Sequence, residues 1–235
     1  MSGDDARWLG AALALATRGV GRTAPNPSVG CVIVAGGRVV GRGWTQPGGR
    51  PHAEAMALAA AGSSARGGTA YVTLEPCAHV SARGPACSDG LIAAGVARVV
   101  AAATDPDART AGAGFARLRA AGIEVAVGLR QVEAERLNAG FFMRQRHGRP
   151  YVTLKLAMSL DGAIALADGS SRWITGERAR AHAHLERARC DMIVVGAGTL
   201  AADDPALDVR LDGLEHRAPR RAVLSTSLAA IPHGA

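Results

Sequence analysis

The sequence predicts an α/β fold in two successive domains, at residues 1–145 and 146–235. Between residues 88 and 138, strand-like and helical segments alternate with short connections, which is typical of a mixed or parallel sheet covered on both faces. A hydrophobic content of 48%, much of it alanine, is sufficient for a sizeable core of small side chains. The length of 235 residues exceeds one average domain. The polar stretch 144–150 supplies the expected hinge.

The first domain is predicted to begin with an amphipathic helix, because apolar residues recur at helical spacing within the first eighteen positions. Residues 54–61 are nearly all alanine, leucine and methionine and predict a buried helix, with His52 and Glu54 in its first turn. The remaining predicted elements are a hairpin (29–34 and 38–44), strand 69–74, helix 88–94, strand 96–103, helix 114–121, strand 123–127 and helix 131–138.

The second domain is predicted to open with a strand at 151–158, followed by a tight turn at 159–162. Thr175 is predicted to cap a helix that runs to about residue 188. A buried strand at 192–195 leads into a glycine-rich turn at 196–199, and another strand begins at 223. Such a turn can approach a phosphate with bare backbone N–H groups, although it lacks the spacing of a dinucleotide fingerprint.

A net charge of +7 and a pI of 10.2 suggest a nucleic-acid partner, but two observations disfavour it. Aromatic residues make up only 3% of the chain, which leaves few platforms for stacking bases, and the arginines are spread along the sequence. We therefore predict no nucleic-acid partner and a small phosphorylated ligand. Lys155 is the one lysine among 27 basic residues, which indicates either a site that needs a compact charge or chance.

The sequence predicts a cytoplasmic protein without a membrane segment. The first ten residues carry Asp4 and Asp5 instead of a basic region, and no apolar run is long enough for a secretory signal or a membrane span. Four cysteines fit a reducing compartment, and Cys31 and Cys190 are predicted to be inert core thiols.

Three residues form a candidate zinc site: His52, Cys77 and Cys87. Zinc-dependent base deaminases combine a His-x-Glu motif with Pro-Cys-x-x-Cys, and the glutamate acts as general acid and base without binding the metal. Here Glu54 follows His52 by two residues, but nine residues separate the two cysteines. Glu54 is predicted to pass a proton from the attacking water to the departing ammonia. A closed structural site would require His79 as a fourth ligand, which would leave Glu54 without a purpose.

Several longer motifs resemble one protein family. They are Thr23-Ala24-Pro25-Asn26-Pro27-Ser28-Val29-Gly30, Pro51-His52-Ala53-Glu54, Tyr71-Val72-Thr73-Leu74-Glu75-Pro76-Cys77 with His79, Lys155-Leu156-Ala157-Met158-Ser159-Leu160-Asp161-Gly162, Trp173-Ile174-Thr175 and Ala202-Asp203-Asp204-Pro205. Together they resemble the bifunctional riboflavin-biosynthesis deaminase/reductases over essentially the whole chain. The resemblance implies a cytidine-deaminase-like three-layer zinc domain followed by a dihydrofolate-reductase-like domain that uses NADPH. The implied substrate is a diaminohydroxy-phosphoribosylamino-pyrimidine, which is deaminated and then reduced from a ribosyl to a ribityl compound.

The resemblance also implies roles for individual residues and a homo-oligomer. The implied NADPH contacts are Ala157, Trp173, Thr199, Asp203 and Thr226. The implied substrate contacts of the second domain are Lys155, Ser171, Arg187, Leu207 and Arg210, and arginines at such places suit a ribose 5-phosphate. In the first domain, Asn26 is expected to present a hydrogen-bonding group to the site.

Two departures from the family pattern shape the remaining expectations. The segment 78–86 is one residue longer than usual and differs in its middle, which affects how the substrate is held. The reductase domain is shorter than in the family, so we expect it to be partial and its activity impaired. The alternatives are a deaminase of another free base, nucleoside or tRNA, and a non-catalytic remnant that serves as an interaction surface.

Overall fold

The computed structural model describes residues 3–79 and 84–227. The chain divides into two compact units, Met1–Tyr151 and Val152–Ala235. The predicted domain boundary between residues 145 and 146 stays a prediction. No helix within the described ranges is long and apolar enough to cross a membrane.

The described residues of the first unit form a five-stranded mixed sheet. Its strands are β1 (Gly30–Ala35), β2 (Arg38–Trp44), β3 (Thr69–Val72), β4 (Arg98–Ala101) and β5 (Glu124–Val127). They lie in the order β2-β1-β3-β4-β5; β1 is antiparallel to β2 and β3, whereas β3, β4 and β5 are parallel. The helices are α1 (Gly3–Ala16), α2 (Ala53–Ala61), α3 (Cys87–Ala94), α4 (Ala113–Ala120), α5 (Gln131–Leu137) and α6 (Ala139–His147).

Helices α1 and α2 cover opposite faces of the sheet. A Cβ atom at Gly30 would collide with the backbone oxygen of Ala12 in α1, so Gly30 faces that helix. Gly43 is paired with Cys31, the neighbour of Gly30, and it faces the backbone of α2. Because successive strand residues point to opposite faces, the sheet lies between the two helices. The first unit therefore has three layers, as predicted.

Helix α2 approaches β2 closely at two glycines. Cβ atoms at Gly41 and Gly43 would collide with the backbone oxygens of Ala57 and Ala53. Glycine opposite alanine allows the helix to approach the hairpin more closely than larger residues would. This contact fixes the distance between α2 and the sheet, and with it the position of Glu54 in the first turn of the helix.

A buried carboxylate ties α1 to the parallel strands. Asp5 is almost fully buried and accepts a hydrogen bond of 3.0 Å from the Tyr71 hydroxyl. It also accepts hydrogen bonds of 2.8 and 3.2 Å from the Arg98 guanidinium, which pairs with Glu124 as well. A buried charge requires such partners, so the network fixes α1 against β3 and β4.

In the second unit, the described residues contain two parallel strands and two helices. They are β6 (Met192–Gly196), β7 (Arg220–Leu224), α7 (Glu177–Arg187) and α8 (Ala197–Asp203). The turn predicted at 159–162 is present, with hydrogen bonds of 3.0 Å from the Gly162 N–H to the Ser159 oxygen and 2.9 Å from the Ser159 N–H to the Ala163 oxygen.

The strand predicted at 151–158 is wrong. The segment has no regular structure, and Val152, Leu154, Leu156 and Met158 are 79%, 78%, 58% and 53% exposed. Its alternating apolar pattern is that of a strand, but a strand also needs a neighbour to accept its backbone hydrogen bonds. Within the described residues, this segment pairs with no other strand.

Five smaller expectations also require correction. Gly176, not Thr175, occupies the N-cap of α7. The glycine-rich turn at 196–199 is instead the start of α8. Cys190 is exposed, since it follows the end of α7 instead of lying in the core. His52 lies at the N-cap just before α2, so only Glu54 is in the first turn. Helix α6 replaces part of the polar stretch predicted to be a hinge.

Candidate metal centre

The side chains of His52, Cys77 and Cys87 converge at the carboxyl end of β3. Their potential ligand atoms all lie within 4.8 Å of one another. The Nδ1 atom of His52 is 3.2 Å from Cys87 Sγ and 3.6 Å from Cys77 Sγ. Tetrahedral zinc with ordinary bond lengths separates a nitrogen and a sulfur ligand by about 3.6 Å. The cluster therefore fits a zinc ion in both donor type and spacing.

The cluster is positioned by one strand end and two helix starts. Cys77 lies in the irregular segment that follows β3, and Cys87 is the first residue of α3. The Cys87 backbone N–H donates to Cys77 Sγ at 3.3 Å, and the Ser88 hydroxyl donates to the Cys77 carbonyl at 3.0 Å. The helix predicted at 88–94 begins one residue earlier, at Cys87, and its first N–H stabilises the Cys77 thiolate from across the cluster.

The pKa values of the two cysteines are shifted in opposite directions. The hydrogen bond from Cys87 holds the pKa of Cys77 well below its ordinary value, and the bond with His52 adds to this effect. The same hydrogen bond and burial raise the pKa of Cys87 well above its usual range. Burial opposes protonation of His52, but the hydrogen bond with Cys77 and the charge of Glu54 leave the His52 pKa raised. The cluster thus contains one thiolate and one thiol that share a proton. A divalent metal that binds both sulfurs releases that proton.

Glu54 lies beside the cluster but outside the group of potential ligands. It is only 3% exposed, and burial raises its pKa to about 7 against the opposing charge of His52. A carboxyl group with a pKa near neutrality can both accept and donate a proton.

His79 does not complete a four-ligand site. Its Nδ1 atom lies 3.3 Å from the Thr110 hydroxyl, and among residues 3–79 and 84–227 no fourth His, Cys, Asp or Glu joins the group. Three protein ligands are the donor set of catalytic zinc sites, whereas structural sites use four. The geometry thus disfavours a closed structural site.

A cavity of about 260 Å³ opens over the cluster. This volume suits a single heterocyclic ring. The polar and charged residues that line it, besides the cluster cysteine Cys77, are Asn26, Thr45, Arg50, His52, Glu54, Glu75, His79, Asp105, Asp107, Arg109, Arg144 and Gln145. Of the altered segment 78–86, residues 80–83 lie outside the described ranges, so the prediction for its middle is not tested.

Asn26 lines this cavity beside the imidazole. Its Nδ2 atom donates to the Gly49 carbonyl at 2.9 Å and lies 3.5 Å from His52 Nε2. Gly49 has a φ of 84°, and a Cβ atom at that position would lie 2.7 Å from the Asn26 amide. Only glycine combines this backbone conformation with so close an approach. Asn26 as a substrate contact stays a prediction.

Sequence reasoning missed the acidic side of the cavity. Asp105 and Asp107 follow β4 as Cys77 follows β3, and the carboxyl ends of parallel strands meet at one edge of a sheet. Burial raises the pKa of Asp105 to about 6, whereas hydrogen bonds from Arg109 lower the pKa of Asp107 to about 2. The Asp-Pro-Asp sequence directly after a buried strand was the signal that could have found them.

Glu75 has a structural role that the sequence did not indicate. Its buried carboxylate accepts hydrogen bonds from the backbone N–H groups of Asp105, Gly112, Gly114 and Phe115, at 2.9 to 3.3 Å. A negative charge at the first turn of α4 is also favoured by the helix dipole. Glu75 therefore fixes the chain that carries Asp105 and Asp107 along one wall of the cavity.

The predicted residues of the second unit are only partly brought together. Arg187 Nη1 donates to the Asp208 carbonyl at 3.0 Å, and Arg210 Nε lies 3.5 Å from Asp208 Oδ1, next to buried Leu207. Burial, followed by the charge of Arg210, lowers the pKa of Arg187. His184 is half-buried, and its Nδ1 atom lies 3.2 Å from the same carbonyl.

The other predicted contacts lie on separate elements. Lys155 and Ala157 are in the segment 151–158, which has no regular structure, and Trp173 is 70% exposed beneath the Arg180 guanidinium. Exposed residues of the second unit also include Ser171 and, after β7, Thr226, whereas α8 carries Thr199 and Asp203. The assignment of these residues to substrate or NADPH stays a prediction.

Two family models match the chain. Residues 2–103 match the cytidine and deoxycytidylate deaminase zinc-binding region, and residues 150–234 match the RibD C-terminal domain. Both matches agree with the fold class expected from the sequence, a cytidine-deaminase-like α/β domain followed by a reductase domain.

Curated relatives and solved structures give the same result. The chain is 53% identical to riboflavin biosynthesis protein RibD of Escherichia coli K12, covering 91% of this chain and 58% of that protein. It is 49% identical to RibD of Mycobacterium tuberculosis, covering 87% of this chain and 61% of that protein. Among solved structures it is similar to Acinetobacter baumannii RibD, with a TM-score of 0.85, 45% identity, and coverage of 93% of this chain and 62% of that one.

A further similar structure is the diaminohydroxyphosphoribosylaminopyrimidine deaminase/5-amino-6-(5-phosphoribosylamino)uracil reductase of Thermotoga maritima. Its TM-score is 0.88 at 39% identity, covering 94% of this chain and 63% of that one. The chain thus spans about three fifths of the length of these relatives.

Proposed function

Because the chain belongs to the RibD family of riboflavin biosynthesis proteins, we propose that its first domain is a zinc-dependent pyrimidine deaminase. The substrate proposed is 2,5-diamino-6-(5-phosphoribosylamino)pyrimidin-4-one, which is converted to the uracil derivative with release of ammonia. The observation that carries this proposal is the three-ligand cluster with buried Glu54 in one small cavity.

His52, Cys77 and Cys87 would hold the zinc ion. Bound zinc supplies Lewis-acid activation of water near neutral pH. The chain contributes the arrangement around it: the α3 amide stabilises the Cys77 thiolate, and Asn26 borders the His52 ring on the side away from the sulfurs.

Glu54 is proposed as the general acid and base. Its carboxylate takes a proton from the attacking water, and it later delivers that proton to the amino nitrogen as the C–N bond breaks. Its burial favours a pKa of about 7, at which both transfers are possible in one turnover. The helix–hairpin contact holds Glu54 rigidly, which limits the reorganisation needed between the two steps.

The rim of the cavity supports a phosphorylated substrate. Three guanidinium groups border it, and they differ in availability. Arg109 is paired with Asp107, and Arg144 donates to the Pro25 carbonyl at 2.8 Å. Arg50 has no hydrogen bond or ion pair with any residue in the described part of the chain, and it is the proposed phosphate contact.

The second domain is proposed to derive from an NADPH-dependent reductase that converts the ribosyl group to a ribityl chain. Ala157, Trp173, Thr199, Asp203 and Thr226 are the proposed NADPH contacts. Lys155, Ser171, Arg187, Leu207 and Arg210 are the proposed substrate contacts, and the pair Arg187 and Arg210 suits a 5-phosphate. We further propose a cytoplasmic homo-oligomer.

The competing functions are less well supported. A deaminase of a free base, a nucleoside or tRNA has no need of residues that match the RibD C-terminal domain. A non-catalytic remnant has no need of the intact ligand cluster or of a buried acid beside it.

The decisive experiment compares the wild-type chain with Glu54→Gln for zinc content and ammonia release. Glutamine keeps the size of the side chain but cannot carry the proton. We expect zinc to be retained and ammonia release to fall by about 100-fold or more. Undiminished ammonia release from Glu54→Gln would refute the role of Glu54, and a wild-type chain without zinc or without ammonia release would refute the proposed function.

A further inference from the structure

Asn138, between α5 and α6, holds a loop 110 residues away in sequence. Its Oδ1 atom accepts a hydrogen bond from the Ser28 N–H at 2.7 Å, and its Nδ2 atom donates to the Ser28 carbonyl at 2.9 Å. This pairing satisfies both backbone groups of one residue, as a neighbouring strand would. Asn138 is 6% exposed and Ser28 is 3% exposed, so water cannot replace these bonds.

The anchored loop has several other supports. The Ser28 hydroxyl donates to the Ala16 carbonyl at 2.6 Å, and the Val29 N–H donates to the Thr45 hydroxyl at 3.0 Å. From α6, Arg144 Nη2 donates to the Pro25 carbonyl at 2.8 Å. Two of the loop's anchors thus come from the last residue before α6 and from α6 itself.

The loop carries Asn26, which reaches the metal cluster. Its side chain lies between the Gly49 carbonyl and the Nε2 atom of His52, at 2.9 and 3.5 Å. The other ring nitrogen of His52 faces both cysteine sulfurs. Because it packs against the second ring nitrogen, the Asn26 amide restricts the orientation of the His52 ring, a role that outer-shell groups have for ligating histidines.

We infer that Asn138 is a positioning residue for the deaminase site, which acts by holding the Ser28 backbone and thereby the Asn26 side chain against His52. The inference rests on the proposed deaminase function. Asn138 is itself neither a member of the cluster nor a residue of the cavity lining, so its effect on the site is indirect. A residue that supported only the fold would lower stability without a specific dependence on Asn26.

The test is a double-mutant cycle on ammonia release by the zinc-loaded chain. Asn138→Ala is expected to lower kcat/KM by about 10-fold, the scale typical of residues that orient metal ligands. In an Asn26→Ala background, the same substitution is expected to change kcat/KM by less than about 2-fold, because the group that it positions is already absent. Leu118→Ala, in the buried face of α4, is the control for loss of stability alone.

Hydrogen exchange gives a readout that does not depend on activity. In Asn138→Ala the amides of Asn26 and Ser28 are expected to exchange at least about 10-fold faster than in the wild type, while Leu118→Ala leaves their relative protection unchanged. If Asn138→Ala does not fold, Asn138→Asp retains the shape and the acceptor for the Ser28 N–H, and the same criteria apply to it.

The outcomes separate the two claims. If the effects of Asn26→Ala and Asn138→Ala multiply, or if Asn138→Ala leaves kcat/KM unchanged, the positioning role is wrong while the deaminase function stands. A wild-type chain that binds zinc and releases no ammonia overturns the proposed function, and the positioning role with it.

Discussion

Substitution of Gly49 tests whether the site depends on the short distance between Gly49 and the Asn26 amide. Gly49→Ala places a methyl group 2.7 Å from the Asn26 amide at a φ of 84°. Gly37→Ala is the matched control, because Gly37 has a φ of 73° and its Cβ would meet nothing within 4 Å. The control therefore carries the backbone strain without the collision.

The expected losses of stability follow from the backbone strain and from the collision with Asn26. A left-handed conformation costs alanine about 1–2 kcal/mol, partly offset by the lower entropy of the unfolded chain, so Gly37→Ala is expected to lose about 1 kcal/mol. Gly49→Ala also breaks the hydrogen bond from Asn26 to the Gly49 carbonyl, which adds about 1–1.5 kcal/mol. For a unit of this size, each kcal/mol corresponds to about 2–4 °C in Tm.

Thermal denaturation followed by circular dichroism, with ammonia release measured in parallel, distinguishes the two variants. We expect Gly49→Ala to melt about 4–10 °C below the wild type and to lose about 10-fold in kcat/KM. Gly37→Ala should melt about 2–4 °C lower with unchanged kcat/KM. Equal losses of activity in the two variants would show that the contact between Asn26 and Gly49 does not matter to the site.

Three further predictions concern the metal, pH and the second unit. Dialysis against a chelator should abolish ammonia release and lower Tm. Zinc added at about 1,000 times its Kd should restore about 4 kcal/mol of the free energy of unfolding, and Cys77→Ser should show neither response. The raised pKa of Asp105 means that the folded state binds its proton more tightly, so this group's stabilising contribution is present below about pH 4 and is lost as pH rises through about 6. Asp105→Asn should therefore raise Tm relative to the wild type at pH 7 and not at pH 4, and an equal shift at both values would contradict this. The 235-residue chain alone, given deaminated substrate, should not oxidise NADPH, because Ala157 and Lys155 lie in a segment that has no regular structure and no strand neighbour among the described residues. Measurable oxidation at 340 nm would refute this.

Local patterns in the sequence were sufficient for most of the first unit. The hairpin β1–β2 and helix α2 were predicted with bounds close to those observed, because turn glycines and runs of strong helix formers act over a few residues. The proximity of His52, Cys77 and Cys87 was also expected, since a histidine, a spaced glutamate and two cysteines in this order are typical of zinc-dependent deaminases.

Features that depend on distant partners were not predictable in this way. The burial of Asp5 requires Arg98, which is 93 residues away, and the role of Asn138 requires Ser28. Helix α6 was missed because Arg144, Gln145 and Arg146 resemble a polar linker, although Arg144 bonds to the Pro25 carbonyl. The strand predicted at 151–158 has the correct alternation, but alternation does not supply a neighbouring strand.

The glycine–alanine contact between β2 and α2 has a consequence for how this protein can change. Where side chains set the distance between two layers, a larger residue on one side is compensated by a smaller one on the other. Here a strand glycine meets the backbone of the helix directly, so no larger side chain on the helix could be shortened in compensation. A methyl group added at Gly41 or Gly43 would therefore push the whole helix away from the sheet. Saturation mutagenesis should find these two positions, with Ala53 and Ala57, closed to exchange even when paired substitutions are allowed.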